Sequence, residues 1–215
     1  MPVPPLKLYR FALSGHSHRA ELALALMQLP HTLVDVDLMK GEHKTPQFLQ
    51  LNPFGQVPVL EDQGTLVFDS NAILVYLGTK YDAVGRWLPR EPGPLAAVQG
   101  WFSIAAGPLA FGPAAARLIA LFGSNQVFGN TFDTQDVIGR AHALLKTMDA
   151  VLAERSWLVG ESATLADVAM YAYTVSAPEG NVDLEPYRWV RDWLRRVETL
   201  PGFLPFQKTP VGLAA

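Results

Sequence analysis

Four short polar groupings in this chain could hold a small charged ligand. The first is Asp69-Ser70, followed at once by NAILVYL, the start of an amphipathic helix. Ser70 therefore falls where a helix cap or first turn belongs. A helix N-terminus with a hydroxyl and unsatisfied amides attracts a carboxylate, and the Asp69 carboxylate suits an ammonium. The pair matches both charges of an α-amino acid end, although an ordinary N-cap also accounts for Ser70. The second grouping is Gln56-Val57-Pro58 in NPFGQVPVLED. Asn-Pro and Phe-Gly mark a turn, and Val57 to Leu60 reads as a β run. A proline inside a strand cannot donate to the ladder. A cis Val57-Pro58 bond at the strand's entrance would turn the Val57 amide and carbonyl outward, and such an edge grips an extended peptide by β-addition. Edge and charge clamp together point to a small peptide with a free amino-acid end. The third grouping is SGHSHR, residues 14–19, with two hydroxyls, Ser14 and Ser17, and two imidazoles, His16 and His18. Two histidines with no third ligand make a poor metal site, and no metal is expected. The fourth is His43-Lys44, two basic residues that suit an anionic ligand end or simply face solvent.

These groupings need a frame. Leu6 to Phe11 reads as a first strand, and AELALALMQL after Arg19 as a strong helix former stopped by Pro30. Thr32 to Leu38 alternates with period two, a second strand, which makes a βαβ start. Pro46 to Leu51 is a short helical turn. Val57 to Leu60 and Thr65 to Phe68 form a hairpin, and a helix runs from Ser70 to about Tyr81. The order β-α-β-α-β-β-α is thioredoxin-like. Gly85, Pro89, Pro92, Gly93 and Pro94 are the densest breakers in the chain. They set a linker at 83–94 between a first domain, 1–82, and a second, 95–215. Strand signals vanish beyond it. Helices are expected over Leu95–Phe122, interrupted at Gly107-Pro108 and Gly112-Pro113, and over Thr134–Glu154, Thr164–Ser176 and Pro186–Leu200. The fold class is thus α+β with two domains, the second all-helical.

Composition narrows the function. Of 215 residues 49% are hydrophobic and 17% charged, enough for a substantial core, and the net charge of −3 comes with no Lys/Arg run to suggest a nucleic-acid face. The chain has no cysteine, which excludes disulfides, thiolate metal sites and a cysteine nucleophile. No uninterrupted apolar stretch reaches the ~18 residues of a spanning helix, and MPVPPLKLYR lacks the apolar core of a secretion signal. A cytoplasmic protein without membrane or nucleic-acid partners is expected.

NPFGQVPVLED…DSNAILVYL, with SGHSHRAELAL and KGEHKTPQFL before it, resembles the glutathione transferases, and most closely the bacterial, theta-like serine-type members. The likeness covers most of the first 80 residues, and GESATLADVAMYAY extends it into the second half. It implies a thioredoxin-like glutathione-binding domain followed by a helical-bundle domain, in a homodimer. It assigns Ser14 as donor of a hydrogen bond to the glutathione sulfur. A free thiol titrates near ~8.5, and lowering that by two units takes roughly 2.7 kcal/mol. A hydrogen bond to the anion and the positive end of the following helix can supply this. Ser17 competes for the role, and a plain loop cap would also explain Ser14. A family asparagine often stands where His16 does. His43 would hold the glycine carboxylate, with Lys44 assisting by charge, and Gln56 would reach the glycine end or the backbone. Val57, before Pro58, would exchange backbone bonds with the cysteinyl unit, and Asp69 and Ser70 would take the γ-glutamyl amino and carboxylate groups.

The resemblance implies glutathione as co-substrate, with no cofactor, and a small hydrophobic electrophile as second substrate. Phe11, Phe111 and Arg117 are candidates for its pocket, although apolar stripes are usually core. Arg117, a charge inside an apolar run, also fits a dimer salt bridge. Two other activities suit the same fold: glutathione-dependent disulfide reduction or peroxide reduction, and non-catalytic binding of glutathione or a hydrophobic ligand. An isomerase of the maleylacetoacetate type carries a different serine-cysteine-rich loop. Thr164-Leu-Ala-Asp167 has capping-box spacing and reads as a folding element, worth about 1–2 kcal/mol.

Overall fold

β-Branched and leucine-rich segments near the N-terminus build one four-stranded sheet. In the computed structural model, which describes residues 6–127 and 129–215, the strands are β1 (Leu6–Arg10), β2 (His31–Asp35), β3 (Val59–Asp62) and β4 (Thr65–Phe68), in the order β2-β1-β3-β4. β2 runs parallel to β1, pairing Leu8 with Leu33, and β3 runs antiparallel to it, pairing Tyr9 with Val59 and Leu8 with Leu60. β4 returns against β3, with Val59 opposite Phe68. Helices α1 (Gly15–Leu26), α2 (Pro46–Leu51) and α3 (Ser70–Tyr81) complete the expected order. The sheet contributes Leu8, Val59 and Leu60 to the core, and α1 and α3 contribute Leu22, Leu24, Ile73, Leu74 and Leu77, all fully buried.

This register has a functional consequence. Parallel β1 and β2 end where antiparallel β3 begins and where β4 ends. Ser14 lies four residues past β1, Val57 two residues before β3, and Asp69-Ser70 directly after β4. The His43 segment leaves the same end of β2. One end of the sheet therefore collects all four polar groupings. The expected β run at Val57 shifts: β3 starts at Val59 and is an interior strand, bonded on both sides. The unpaired backbone is the short segment ahead of it, not a strand edge.

The turn Asn52–Gln56 is tied down by neighbours. Buried Asn52 donates from Nδ2 to the Gln56 carbonyl at 2.8 Å and accepts from the Phe54 amide at 3.0 Å. Gly55 sits at φ +57°, and a Cβ there would lie 2.6 Å from the His43 carbonyl oxygen. Gly55→Ala is expected to lower the unfolding free energy by roughly 2–3 kcal/mol, from left-handed strain plus the clash. Denaturant melts check this, and an unshifted midpoint would contradict it. At the other end of the hairpin, Asp62 Oδ2 accepts from Tyr76 Oη at 2.8 Å, Lys80 Nζ at 2.6 Å and Tyr81 Oη at 2.6 Å, which fastens β3 to the end of α3.

The chain divides into two compact units, Met1–Leu88 with Leu200–Pro205, and Pro89–Thr199 with Phe206–Ala215. A contiguous second domain from residue 95 does not anticipate the return of Leu200–Pro205 to the first unit. Residues 83–88 also stay with that unit, because the buried Asp82 carboxylate accepts the amides of Arg86, Trp87 and Leu88 at 2.9, 2.6 and 2.9 Å.

The second unit holds α4 (Pro92–Ala106), α5 (Ala115–Phe122), α6 (Thr134–Ala153), α7 (Leu165–Val175) and α8 (Arg188–Glu198). It also contains a two-residue ladder, β5 (Gln126–Val127) with β6 (Asn130–Thr131), so this half is not purely helical. The prolines bend the run from α4 to α5 without ending it. Wider-ring bonds from Leu109 N to Ile104 O and from Ala114 N to Leu109 O carry it through a π turn at Ala110–Ala114. Pro92–Phe122 is then a single helical run of 31 residues, long and apolar enough to cross a membrane by length and composition, with half of its most apolar window buried in the protein. Gln99, Ser103 and Arg117 interrupt its apolar residues, so it is not an uninterrupted apolar stretch.

Candidate active site

Ser14 is the N-cap of α1. Its Oγ accepts from the Ser17 amide at 3.2 Å, and its amide donates to the Phe11 carbonyl at 2.9 Å. One lone pair is thereby used, while the hydroxyl proton has no acceptor among the described residues. The side chain is half-buried. Ser17 differs: it is 1% exposed, and its Oγ accepts from the Phe11 amide at 3.2 Å. Of the two hydroxyls Ser14 is the more open. Tyr9 donates its hydroxyl to Glu61 at 2.9 Å.

The two histidines point apart. His16 Nδ1 lies 3.3 Å from Ser70 Oγ, linking the first turn of α1 to the start of α3. His18 is buried and its Nε2 lies 2.9 Å from the Leu204 carbonyl; a carbonyl only accepts, so Nε2 carries the proton. No cluster of three or more metal-binding side chains forms among the described residues. Burial, aided by Arg19, lowers His16 to about 3. Burial lowers His18 to about 4 against the pull of the Leu204 and Pro205 carbonyls, with Arg10 adding a smaller lowering. Both are neutral in the fold, whereas the unfolded chain takes up their protons near pH ~6.5. Stability is therefore present above pH 6.5 and is lost as pH falls toward about 4 for His18 and about 3 for His16. Between pH 7 and 5 this amounts to roughly 2–4 kcal/mol, at the lower end if half-exposed His16 is relieved by solvent. His18→Gln keeps a donor for Leu204 without the titration. Denaturant melts at the two pH values should show no more than about half the loss in that variant; an equal loss would contradict the assignment.

At the start of α3, three amides lack intrahelical partners. Asp69 Oδ1 accepts two of them, Asn71 and Ala72, each at 2.9 Å. Ser70's own amide has no acceptor among the described residues. Asp69 is exposed, holds φ +69°, and uses only one oxygen in capping. Such strain in a non-glycine residue clusters at functional sites. Ser70 is 2% exposed, and its Oγ accepts from Arg19 Nη1 at 2.8 Å.

The Val57-Pro58 bond is cis. The Val57 amide and carbonyl make no hydrogen bond among the described residues, and its side chain packs on the cluster of Val36, Phe48 and Val59. Gln56 is exposed. Lys44 Nζ donates to the Gly55 carbonyl at 3.0 Å and the Phe54 carbonyl at 3.3 Å, so its first task is to hold the turn. His43 is half-buried, and its Nδ1 is a buried nitrogen without a hydrogen-bond partner. Burial and then the Lys44 charge push its imidazole below the ordinary value.

Arg117 needs correction. It is 0% exposed, its Nε donates to Glu179 at 2.8 Å, and its guanidinium stacks 4.8 Å from the Phe206 ring centre. A fully buried, paired arginine inside its own unit neither lines an open pocket nor reaches a second subunit. Phe11 is half-buried after β1, and Phe111 is half-buried with its ring 6.0 Å from that of Phe132. Two positioning residues escape the sequence reading. Asn52 reads there only as a turn former. Arg19 reads there only as the residue ahead of the helix former; α1 also carries Glu21, His16 and His18, so no local signal sets Arg19 apart.

A four-stranded thioredoxin-like unit with a polar loop cluster at one sheet end, joined to a helical unit, defines the glutathione transferase class. The comparisons agree. Residues 4–79 match the family model "Glutathione S-transferase, N-terminal domain" and residues 116–201 match "Glutathione S-transferase, C-terminal domain". The chain belongs to the glutathione S-transferase family. It is 34% identical over 213 residues to glutathione S-transferase 3 of Zea mays, covering 95% of this chain and 93% of that one. A crystal structure of a possible glutathione S-transferase from Rhodopseudomonas palustris superposes with a TM-score of 0.86 at 34% identity, covering 96% of this chain and all of that one (100%). A disulfide-bond oxidoreductase of Escherichia coli is 27% identical over 205 residues, covering 89% of this chain and 90% of that one.

Proposed function

We propose that this protein joins the sulfur of glutathione to an apolar electrophile, with Ser14 stabilising the thiolate. The observation that carries this reading is the Ser14 hydroxyl. It caps α1 with its oxygen while its proton has no acceptor among the described residues. A thiolate there would meet both that proton and the positive end of a helix. The unpaired Val57 backbone suits the cysteinyl unit, and the Ser70 amide and hydroxyl suit the γ-glutamyl carboxylate. The exposed Asp69 carboxylate suits the γ-glutamyl ammonium. His43 Nδ1, buried and unpartnered, suits the glycine carboxylate, with Gln56 and Lys44 beside it. Catalysis is then proximity plus an activated nucleophile: the sulfur lone pair forms a C–S bond as the leaving group departs with its electron pair. The chemistry needs no cofactor. Phe11 and Phe111 remain candidates for the apolar side, and Arg117 does not.

A cytoplasmic homodimer completes this reading. Leu66 and Phe68 on the edge strand β4, with the exposed Phe54 ring 5.7 Å from that of Phe68, offer apolar surface that a second copy would cover. Glutathione-dependent disulfide reduction is the second reading, favoured by the likeness to the E. coli oxidoreductase; with no cysteine in this chain, glutathione would supply every thiol. Parallel assays with a chloronitrobenzene, an organic peroxide and hydroxyethyl disulfide separate the two. Conjugation is expected to dominate. Disulfide turnover without conjugation would favour the second reading, and glutathione binding with no turnover would leave a binding protein.

A further inference from the structure

A buried positive charge lies beneath the start of α3. Arg19, on the second turn of α1, is 1% exposed. Its Nη1 donates to Ser70 Oγ at 2.8 Å and Asn71 Oδ1 at 2.9 Å, and lies 3.5 Å from His16 Nδ1. Guanidinium keeps its charge throughout the working pH range, and burying such a charge is costly. Tying α1 to α3 would need only a neutral donor. What the charge adds is a field, little screened by solvent, acting on whatever the Ser70 hydroxyl holds.

The hydroxyl geometry gives that field a direction. Ser70 Oγ accepts from Arg19, so its proton is turned away from the guanidinium, toward His16 Nδ1 at 3.3 Å or toward a ligand oxygen. A hydroxyl polarised in this way is a stronger donor to an anion than to a neutral group. We propose that Arg19 is a positioning residue that makes this site selective for a ligand end bearing a free α-carboxylate. It does so by fixing and polarising the Ser70 hydroxyl and supplying the charge behind it. The proposal rests on the glutathione reading above and adds to it a residue and a basis for selectivity.

The test compares glutathione with its analogue in which the γ-glutamyl α-carboxylate is a carboxamide, by calorimetric titration. The unmodified protein is expected to prefer glutathione at least about tenfold, the scale of one charge-assisted hydrogen bond. Arg19→Gln retains a donor without the charge. It should weaken glutathione alone and bring the preference to within about threefold, while Arg19→Lys retains most of it. Equal binding of the two ligands by the unmodified protein would overturn the proposal and leave the glutathione reading standing. Equal weakening of both ligands in Arg19→Gln would also overturn it, since that is what a purely structural role does. Binding of neither ligand would remove both readings. If Arg19→Gln does not fold, Arg19→Lys decides: a kept preference supports the proposal and a lost one ends it.

Discussion

Ser14→Ala should lower conjugation turnover by about 10–100-fold, the rate equivalent of losing roughly 1.5–3 kcal/mol of hydrogen bonding to an anion. The midpoint of the pH–rate profile should rise by about one to two units, because the same free energy holds the bound thiol's pKa down. Glutathione affinity should change by no more than a few-fold, since the Val57 backbone, Asp69, Ser70 and His43 would still hold the ligand. A cost in stability is also expected, because Ser14 caps α1 through the Ser17 amide; it should come to about 1 kcal/mol. That cost and the rate are read separately, one in denaturant melts and the other at saturating glutathione. Unchanged turnover would move sulfur activation to backbone amides, because Ser17 is 1% exposed.

Asp167→Ala should have the largest effect on stability of any substitution considered. The sequence motif alone sets the expectation at a helix cap, about 1–2 kcal/mol. The structure adds further partners to the capping box. Asp167 is 0% exposed and accepts from the Thr164 amide at 2.8 Å, the Leu158 amide at 3.1 Å and Trp193 Nε1 at 2.8 Å. Burial, the leading influence, pushes its carboxyl up from the ordinary range, and these donors oppose that push. Alanine would leave three buried donors without an acceptor, at about 1–3 kcal/mol each. Relief of the carboxylate's own desolvation offsets part of this. A net loss of about 3–5 kcal/mol follows, or roughly 10 °C in Tm for a chain of this size. Calorimetric melts would show it, and a loss below about 1 kcal/mol would contradict the network. Glutathione affinity of the folded variant should stay unchanged, because Asp167 belongs to the second unit.

Local signals carried the N-terminal half well, for identifiable reasons. Ser70–Tyr81, Pro46–Leu51 and Thr65–Phe68 occur at their expected bounds, because each begins at a turn residue or cap whose chemistry is local. β3 begins two residues later than Val57, because register against β1 and β4, a long-range matter, decides where pairing starts. The break at Gly107–Pro113 became a π turn: the prolines could be read from the sequence, but not the wider-ring bonds that bridge them. Gly112 there lies against α6, where a Cβ would come within 3.0 Å of the Ala141 amide nitrogen.

Side-chain partners were harder to anticipate than elements. Arg117 reads as a site candidate until its partner Glu179, 62 residues away, is known. Arg19 reads as an ordinary helical residue until Ser70, 51 residues away, is found against it. Pairings over such spans leave no trace in composition or periodicity. The loop cluster was nonetheless within reach, because strand order alone brings the ends of β1, β2 and β4 and the start of β3 together.

The most direct test of the central claim is the titration of the glutathione thiol on the protein, followed by thiolate ultraviolet absorption against pH in unmodified and Ser14→Ala protein. Activation by Ser14 predicts a bound-thiol pKa about one to two units below the free value of ~8.5, and a return toward that value in the variant. A bound thiol that titrates near ~8.5 in the unmodified protein, or equally low in both proteins, would contradict it.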